Sequence, residues 1–183
     1  MKFNFLIYSY LLFVLTFFSC ASSTKITSEP EQGFGLSRYQ TFAFMESDFS
    51  GDGPGRSYQP QVDYLQEEIA KQLTSRGLRP GKSSEADLLI NLGIVVEEEV
   101  QTRETSIVTD PPRYIGQRRY TWQSREVEVG RYNVGTVSVH LIDRERNAMV
   151  WHGTAERILS DKPEKLREQI VKGIAKLVGS IPG

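Results

Sequence analysis

The two histidines of this 183-residue chain are its side chains best suited to chemistry. An imidazole can bind a metal ion or transfer a proton near neutral pH. His140 and His152 flank Arg144-Glu145-Arg146-Asn147, which predicts the turn of a hairpin. If the hairpin pairs residues whose numbers sum to 292, the histidines are direct cross-strand neighbours, with Cβ atoms about 4.5–5.5 Å apart. A sum of 290 or 294 makes them diagonal neighbours.

A metal site at this pair needs further ligands, because zinc sites use three or four protein side chains. The chain has no third histidine and one cysteine, so a carboxylate such as Glu156 is the available complement. A metal-dependent or hydrolytic enzyme that uses His140 and His152 is therefore one hypothesis. Two solvent-facing histidines without metal or cofactor are the simpler interpretation, and we identify no catalytic residues.

The single cysteine, Cys20, follows an apolar run of fourteen residues from Phe5 to Phe18. A membrane-spanning helix needs about 20 apolar residues, whereas this length is typical of the core of a signal peptide. One cysteine excludes an intramolecular disulfide and a zinc cluster built from cysteines. The pattern predicts a signal peptide over residues 1–19.

The residues around Cys20 resemble a bacterial lipobox, although Phe17 stands where leucine is common. The resemblance implies cleavage before Cys20, which then carries a diacylglyceryl thioether and an N-acyl chain such as palmitate. Two or more acyl chains anchor a protein stably to a membrane. Ala21, rather than aspartate, after the cysteine implies the outer membrane of a Gram-negative cell envelope, with the leaflet left open.

Aromatic and basic residues follow the Pro111-Pro112 break and form a candidate docking patch. Aromatic and arginine side chains dominate the energetics of many protein interfaces. The candidates are Arg119, Tyr120, Trp122 and Arg125. An envelope protein, a peptide or a glycan would be the partner. The alternative is a set of ordinary cross-strand ion pairs between 97–99 and the arginines at 103, 118, 119, 125 and 131.

Charge and loop composition exclude other classes of function. The formal net charge is −1, which removes the basic surface that nucleic-acid binding needs. Residues 51–55, Gly-Asp-Gly-Pro-Gly, match neither a dinucleotide-binding nor a Walker pattern, and Pro54 lacks an amide donor. We therefore expect a flexible loop there and no cofactor.

The hydropathy pattern predicts the elements that position these residues. Residues 20–34 are polar, which predicts the lipidated cysteine followed by a flexible tether. Residues 35–183 are predicted to form a single domain. Alternating apolar residues predict strands, and spacings of three and four predict helices. The expected strands are 39–45, 87–103, 119–129, 136–143 and 148–159, and the expected helices are 62–77 and 161–177. This β-α-β-β-β-β-α order predicts a two-layer α+β sandwich, with a mixed, mostly antiparallel sheet of about five strands and two helices on one face.

The faces of the hairpin predict which side the helices cover. Val137, Val139 and Leu141 alternate with polar residues, and so do Met149, Trp151, Gly153 and Ala155 in the next strand. We expect these apolar sets to contact the helices. The opposite face, which carries His140 and His152, is then open to water.

The stretches 132–143 and 147–155 resemble the bacterial lipoprotein family labelled domain of unknown function 4136. The matching features are Tyr-x-x-Gly-Thr at 132–136, an alternating strand ending in Asp143, and Val150-Trp151-His152-Gly153-Thr154-Ala155, with histidine at 152 where the family usually has arginine. Other matches are Thr41-Phe42-Ala43-Phe44, Gly77-Leu78 and Ala86-Asp87-Leu88-Leu89. The resemblance covers residues 38–182 and implies an envelope lipoprotein with no assigned activity.

The matching residues also have a structural explanation. Gly135 and Gly153 permit close approach of neighbouring atoms, Asp143 can bond turn amides, and Trp151 supplies buried area. We therefore expect a non-enzymatic, outer-membrane-anchored lipoprotein that binds or scaffolds an envelope partner. The alternatives are the enzyme hypothesis above and an auxiliary subunit of an envelope transport system.

Overall fold

A computed structural model describes residues 24–45, 59–110 and 123–183. The elements are β1 (Lys25–Pro30), a 3-10 turn (Leu36–Arg38), β2 (Thr41–Phe44), α1 (Gln59–Ser75), β3 (Arg79–Pro80), β4 (Leu88–Glu104), β5 (Glu126–Asp143), β6 (Ala148–Ile158) and α2 (Pro163–Gly179). The sheet has six strands in the order β1-β6-β5-β4-β2-β3. Strand β2 is parallel to β3 and β4, and the other pairs are antiparallel. The predicted α+β class and the two helices are confirmed, with six strands instead of about five.

Both helices pack on one face of the sheet, because each carries one apolar stripe. Helix α1 buries Leu65, Ile69 and Leu73, and helix α2 buries Ile174 and Leu177. These side chains share one core with residues of the central strands, namely Leu88, Ile90, Leu92, Val139, Leu141 and Trp151. None of the helices in the described ranges is long and apolar enough to cross a membrane.

The two helix ends differ in how well the sequence predicts them. Helix α1 ends as expected, since Gly77 has φ +96° and the amide of Leu78 donates to the carbonyl of Leu73. Helix α2 lacks the capping box expected from Asp161 and Glu164. Its N-cap is Lys162 without a side-chain cap, and Pro163 occupies the first turn.

Strand β1 corrects the predicted tether, because Lys25–Pro30 pairs antiparallel with β6 along its whole length. Its pattern is mostly polar, and only every second side chain is partly covered, as at Ile26. Such an edge strand is held mainly by its backbone hydrogen bonds, which leave little trace in the hydropathy. Only residues 21–23 separate Cys20 from the first described residue, Thr24, so the two are four residues apart along the chain. Four residues reach at most about 13–14 Å.

Strand β5 corrects the predicted break between 119–129 and 136–143, because Glu126–Asp143 is one strand of 18 residues. It pairs with β4 from Leu88↔Asp143 to Glu104↔Glu126, with a bulge beside Gln101. Strand β6 pairs with β5 only from Val134 onward, and β2 pairs with β4 only at 88–90. We call the remaining ribbon, residues 99–104 and 126–132, the arm. It extends about 20 Å beyond the point at which both neighbouring strands, β2 and β6, have stopped pairing with β4 and β5.

A second bulge lies in the β5–β6 hairpin, where Leu141 pairs with Trp151 but Ile142 pairs with Met149. The extra residue, Val150, is fully buried, whereas Met149 is 53% exposed. The prediction that Met149 faces the helices is therefore wrong. An extra residue reverses the alternation of the side chains that follow it, and alternation alone does not reveal its position.

Candidate functional site

His140 and His152 lie directly opposite each other, in the register that the sum of 292 describes. Their ring centroids are 6.2 Å apart and the ring planes meet at 78°. Asn91 pairs with His140 on the other side, and Glu29 pairs with His152. The structure thus places one polar row, Asn91-His140-His152-Glu29, across four strands of the face opposite the helices.

The carboxylate beside this pair is Glu29 and not Glu156. Oε2 of Glu29 lies 3.9 Å from Nε2 of His152. Glu156 is four residues from His152 along β6, about 13 Å away, and its Oε2 lies 3.9 Å from Nζ of Lys25. Within the described ranges no three histidine, cysteine, aspartate or glutamate side chains are grouped closely enough to hold a metal ion. The sequence misses Glu29 because it lies in the supposed tether.

The surroundings of His140 make its protonation unfavourable. Partial burial lowers the pKa of His140 below its usual 6.5, and the neighbouring His152 lowers it further. As the pH falls through 6.5, the unfolded chain therefore takes up this proton before the folded chain does. The stability associated with neutral His140 is present above pH 6.5 and is lost below it.

We expect the melting temperature to fall between about pH 7.5 and about pH 5.5, and to fall less in the variant His140→Gln. Circular dichroism melts at the two pH values measure both drops. Carboxyl groups with lowered pKa, such as Asp87, respond at more acidic pH and do not interfere. Equal drops in the two proteins would contradict the assigned pKa shift.

Polar contacts within β5 and between β4 and β5 hold the arm and its base. Arg131 donates from Nε to Glu128 Oε1 at 2.7 Å and from Nη1 to Glu98 Oε1 at 2.8 Å. The bond to Arg131 lowers the pKa of Glu128. The hydroxyl of Tyr132 donates to Glu99 Oε2 at 2.6 Å, which raises the pKa of Tyr132. Of the expected cross-strand ion pairs with 97–99, the structure thus contains the one between Arg131 and Glu98.

The predicted docking residues are only partly within the described ranges. Arg119, Tyr120 and Trp122 lie outside them, as does the arginine at 118. The backbone amide of Arg125 donates to Thr105 Oγ1 at 2.9 Å, which places it at the far end of the arm. Arg103 pairs with Asp110 in a bidentate contact, at 2.6 and 2.7 Å, and not with 97–99.

The arm also carries exposed aliphatic side chains, which were not predicted from the sequence. Val100 is 47% exposed and Val129 is 48% exposed. Val129 is the extra residue of the bulge, since Gln101 pairs with Gly130 and Thr102 with Glu128. Beyond the arm, Ile107 and Val108 are also exposed. β-Branched residues between charges are the available signal for an exposed strand.

An apolar cleft of about 110 Å³ lies between the two helices and the sheet. Its lining includes Ile94 and Val96 of β4, Ile170 of α2 and Thr24. Nη1 of Arg157 donates to Thr24 Oγ1 at 2.9 Å. Nε of Arg157 and Oε1 of Gln61 are buried there, with no hydrogen-bond partner in the described part of the chain. The lining comes from many separate segments, so no local pattern predicts the cleft.

Solved structures show where else this fold occurs. A PelC dodecamer from Paraburkholderia phytofirmans is 17% identical, covers 85% of this chain and 95% of that chain, and has a TM-score of 0.50. A DUF4136 family protein from Bacteroides thetaiotaomicron is 10% identical, with 85% and 94% covered and a TM-score of 0.50. A PDZ domain protein from Parabacteroides distasonis is 15% identical, with 92% of this chain but 38% of that chain covered and a TM-score of 0.51. At these identities the similarity concerns the fold alone.

The sequence itself gives a more specific assignment. No curated protein matches the chain. The family model described as a domain of unknown function, DUF4136, matches residues 26–183. This range begins within β1, includes the polar row, the arm and the cleft, and confirms the resemblance carried by residues 132–155. The chain therefore belongs to the DUF4136 family.

Proposed function

We propose that this protein is a lipoprotein of the bacterial cell envelope, anchored by Cys20 in the outer membrane. Its domain works as a non-enzymatic module that binds or scaffolds an envelope partner. The observation that carries this proposal is the arm, a projecting two-stranded ribbon with exposed aliphatic side chains. The arm lies at the end of the sheet where β1 begins, and the chain that precedes β1 leads to the proposed anchor.

The strand registers support this relation between arm and anchor. Lys25 at the start of β1 pairs with Glu156, Glu156 pairs with Thr136, and Thr136 pairs with Val95. The arm begins four residues after Val95, so it extends past the level at which the chain leads toward Cys20. The segment from Cys20 to Thr24 reaches at most about 13–14 Å, which is less than the length of the arm, about 20 Å. The arm of an anchored protein thus works close to the membrane surface.

The surface of the arm suits protein recognition. Neither outer edge of the arm pairs with another strand in the described part of the chain, and unpaired edges can accept a strand from a partner. Val100 and Val129 offer exposed apolar area beside the pair of Arg131 and Glu128. Apolar area next to arginine is typical of interface centres.

A second copy of this chain is one partner that would give a scaffold. The PelC structure with a similar fold is a dodecamer. A different membrane-associated envelope protein, including a component of a transport system, is the other class of partner. The mass of the captured partner distinguishes the two.

Photo-crosslinking in living cells tests the arm as the binding element. We expect a photoreactive amino acid at position 100 or 129 to give a discrete adduct with a protein. The same residue at Glu145, which is exposed in the turn at the opposite end of the sheet, serves as the matched control and should give none. Adducts at 145 but not at the arm, or none anywhere, would contradict the proposal.

A further inference from the structure

The apolar cleft has properties that suit a hydrocarbon chain. Its walls are formed by aliphatic side chains of α1, α2, β4, β5 and β6, such as Leu65, Ile170, Ile94 and Val137. Its volume of about 110 Å³ is of the same order as the roughly 150 Å³ of an engineered apolar cavity that binds benzene. The cleft therefore accommodates one end of an alkyl chain and not a whole lipid.

Two of the residues that line the cleft carry buried polar atoms without a partner within the described ranges. Nε of Arg157 is a buried donor without a partner in the described residues. Oε1 of Gln61 is a buried acceptor, also without a partner there. An unpaired buried donor is costly, and it gains stability from a carbonyl acceptor. The amide or ester carbonyl of an acyl group would supply that acceptor beside Arg157.

The position of Thr24 connects the cleft to the proposed anchor. Thr24 lines the cleft and is held there by Arg157, and Cys20 precedes it by four residues. Cys20 therefore lies within about 13–14 Å of the cleft. A short tether gives an attached group a high effective concentration at a nearby site.

We propose that the cleft holds one acyl chain of the lipid on Cys20. This inference rests on the proposed lipidation. A lipidated cysteine carries three chains, and two suffice for stable anchoring, so the third can leave the bilayer without releasing the protein. The seated chain draws the cleft end of the domain onto the membrane and fixes the direction of the arm.

Gly173 provides the variant that fills the cleft. It lies in the middle of α2 and lines the cleft, and a Cβ added there would meet only Thr24 Cγ2, at 3.8 Å. Gly173→Leu also replaces glycine by a stronger helix former. Gly179, exposed at the end of α2 with nothing within 4 Å of an added Cβ, provides the matched control Gly179→Leu.

The test feeds cells a palmitate analogue that carries a diazirine close to its carboxyl group and an alkyne at the far end of its chain. Cells are irradiated, and the full-length protein is purified and digested. We expect the label on the Cys20 peptide and an intramolecular adduct from the chain to peptides of β4 or α2. The cleft and the bilayer are both apolar, so the seated chain depends on the free space in the cleft, and Gly173→Leu, which fills that space, should remove most of the adduct. Gly179→Leu should leave it unchanged.

Two results would overturn the inference in different ways. Label on Cys20 with adducts to membrane lipid alone leaves the anchor intact and excludes the seated chain. No label on Cys20 removes both the anchor and the inference. Thermal melts of both leucine variants establish that each is folded, so a lost adduct reports on the cleft.

Discussion

Replacing Trp151 by alanine is expected to lower the free energy of unfolding by about 3–5 kcal/mol, since large aromatic side chains leave a costly cavity. Trp151 is 1% exposed and has the largest volume of the fully buried side chains in the described residues. It lies in β6, pairs with Leu141 in β5, and belongs to the core shared with both helices. Domains of this size have total stabilities of about 5–15 kcal/mol, so the loss is a large share.

Urea denaturation followed by circular dichroism measures this loss. Met149→Ala is the matched control, because Met149 is two residues away in the same strand but 53% exposed. We expect the control to cost less than about 1 kcal/mol. Trp151→Phe should retain most of the stability, since the indole Nε1 has no hydrogen-bond partner in the described residues. A loss for Trp151→Ala no larger than that of the control would contradict the packing described here.

Gly153→Ala is the second substitution with a large expected effect. A Cβ at Gly153 would overlap Cη2 of Trp151 and would lie 2.6 Å from Cζ2 of the same ring and 2.9 Å from Cδ1 of Leu177. Overpacking of this kind costs about 1–3 kcal/mol, although alanine otherwise suits the interior of a strand better than glycine. The absence of a side chain at Gly153 thus leaves the space that the ring of Trp151 occupies.

A double-mutant cycle with Trp151→Phe tests this relation. The smaller ring vacates the space beside Gly153, so Gly153→Ala should cost less in that background than in the native chain. Gly93→Ala is the control, because its Cβ would lie 3.7 Å from Ser138 Cβ, an ordinary contact. Equal costs for the two alanine variants, or additivity in the cycle, would argue against a steric role for Gly153.

The sequence predicts the centre of the fold well, because there each residue pattern has one physical cause. Leu88, Ile90 and Leu92 alternate on a sheet with one buried face, and all three are buried. The turn at 144–147 forms as expected, with the amide of Arg146 donating to Asp143 Oδ1 at 2.9 Å. The same register then places the two histidines opposite each other.

The edges of the fold were less predictable, because they depend on backbone pairing and not on buried side chains. Lys25–Pro30 is polar, yet it completes the sheet through its pairing with β6. Residues 99–103 and 126–129 of the arm lie within predicted strands, but nothing in the pattern indicated that they project past the neighbouring strands as a pair. The predicted strands end at 129 and resume at 136, whereas Gly130 and Gly135 both fall within the continuous strand β5.

The candidate sites were likewise predictable only where they depend on a local pattern of residues. The histidine pair is local and was predicted, whereas its carboxylate neighbour, Glu29, comes from a strand that the polar pattern concealed. The cleft needs side chains from both helices and several strands at once. Such a cavity becomes visible only after the elements have been packed.

The central claim is that Cys20 anchors this module to a membrane, and the mass of the N-terminal peptide tests it directly. We predict that the protein isolated from membranes begins at Cys20 and carries a diacylglyceryl group and an N-acyl chain. The Cys20→Ser variant serves as the control and should lack both. A peptide that begins at Met1, or one that contains Cys20 with a free thiol, would contradict the account.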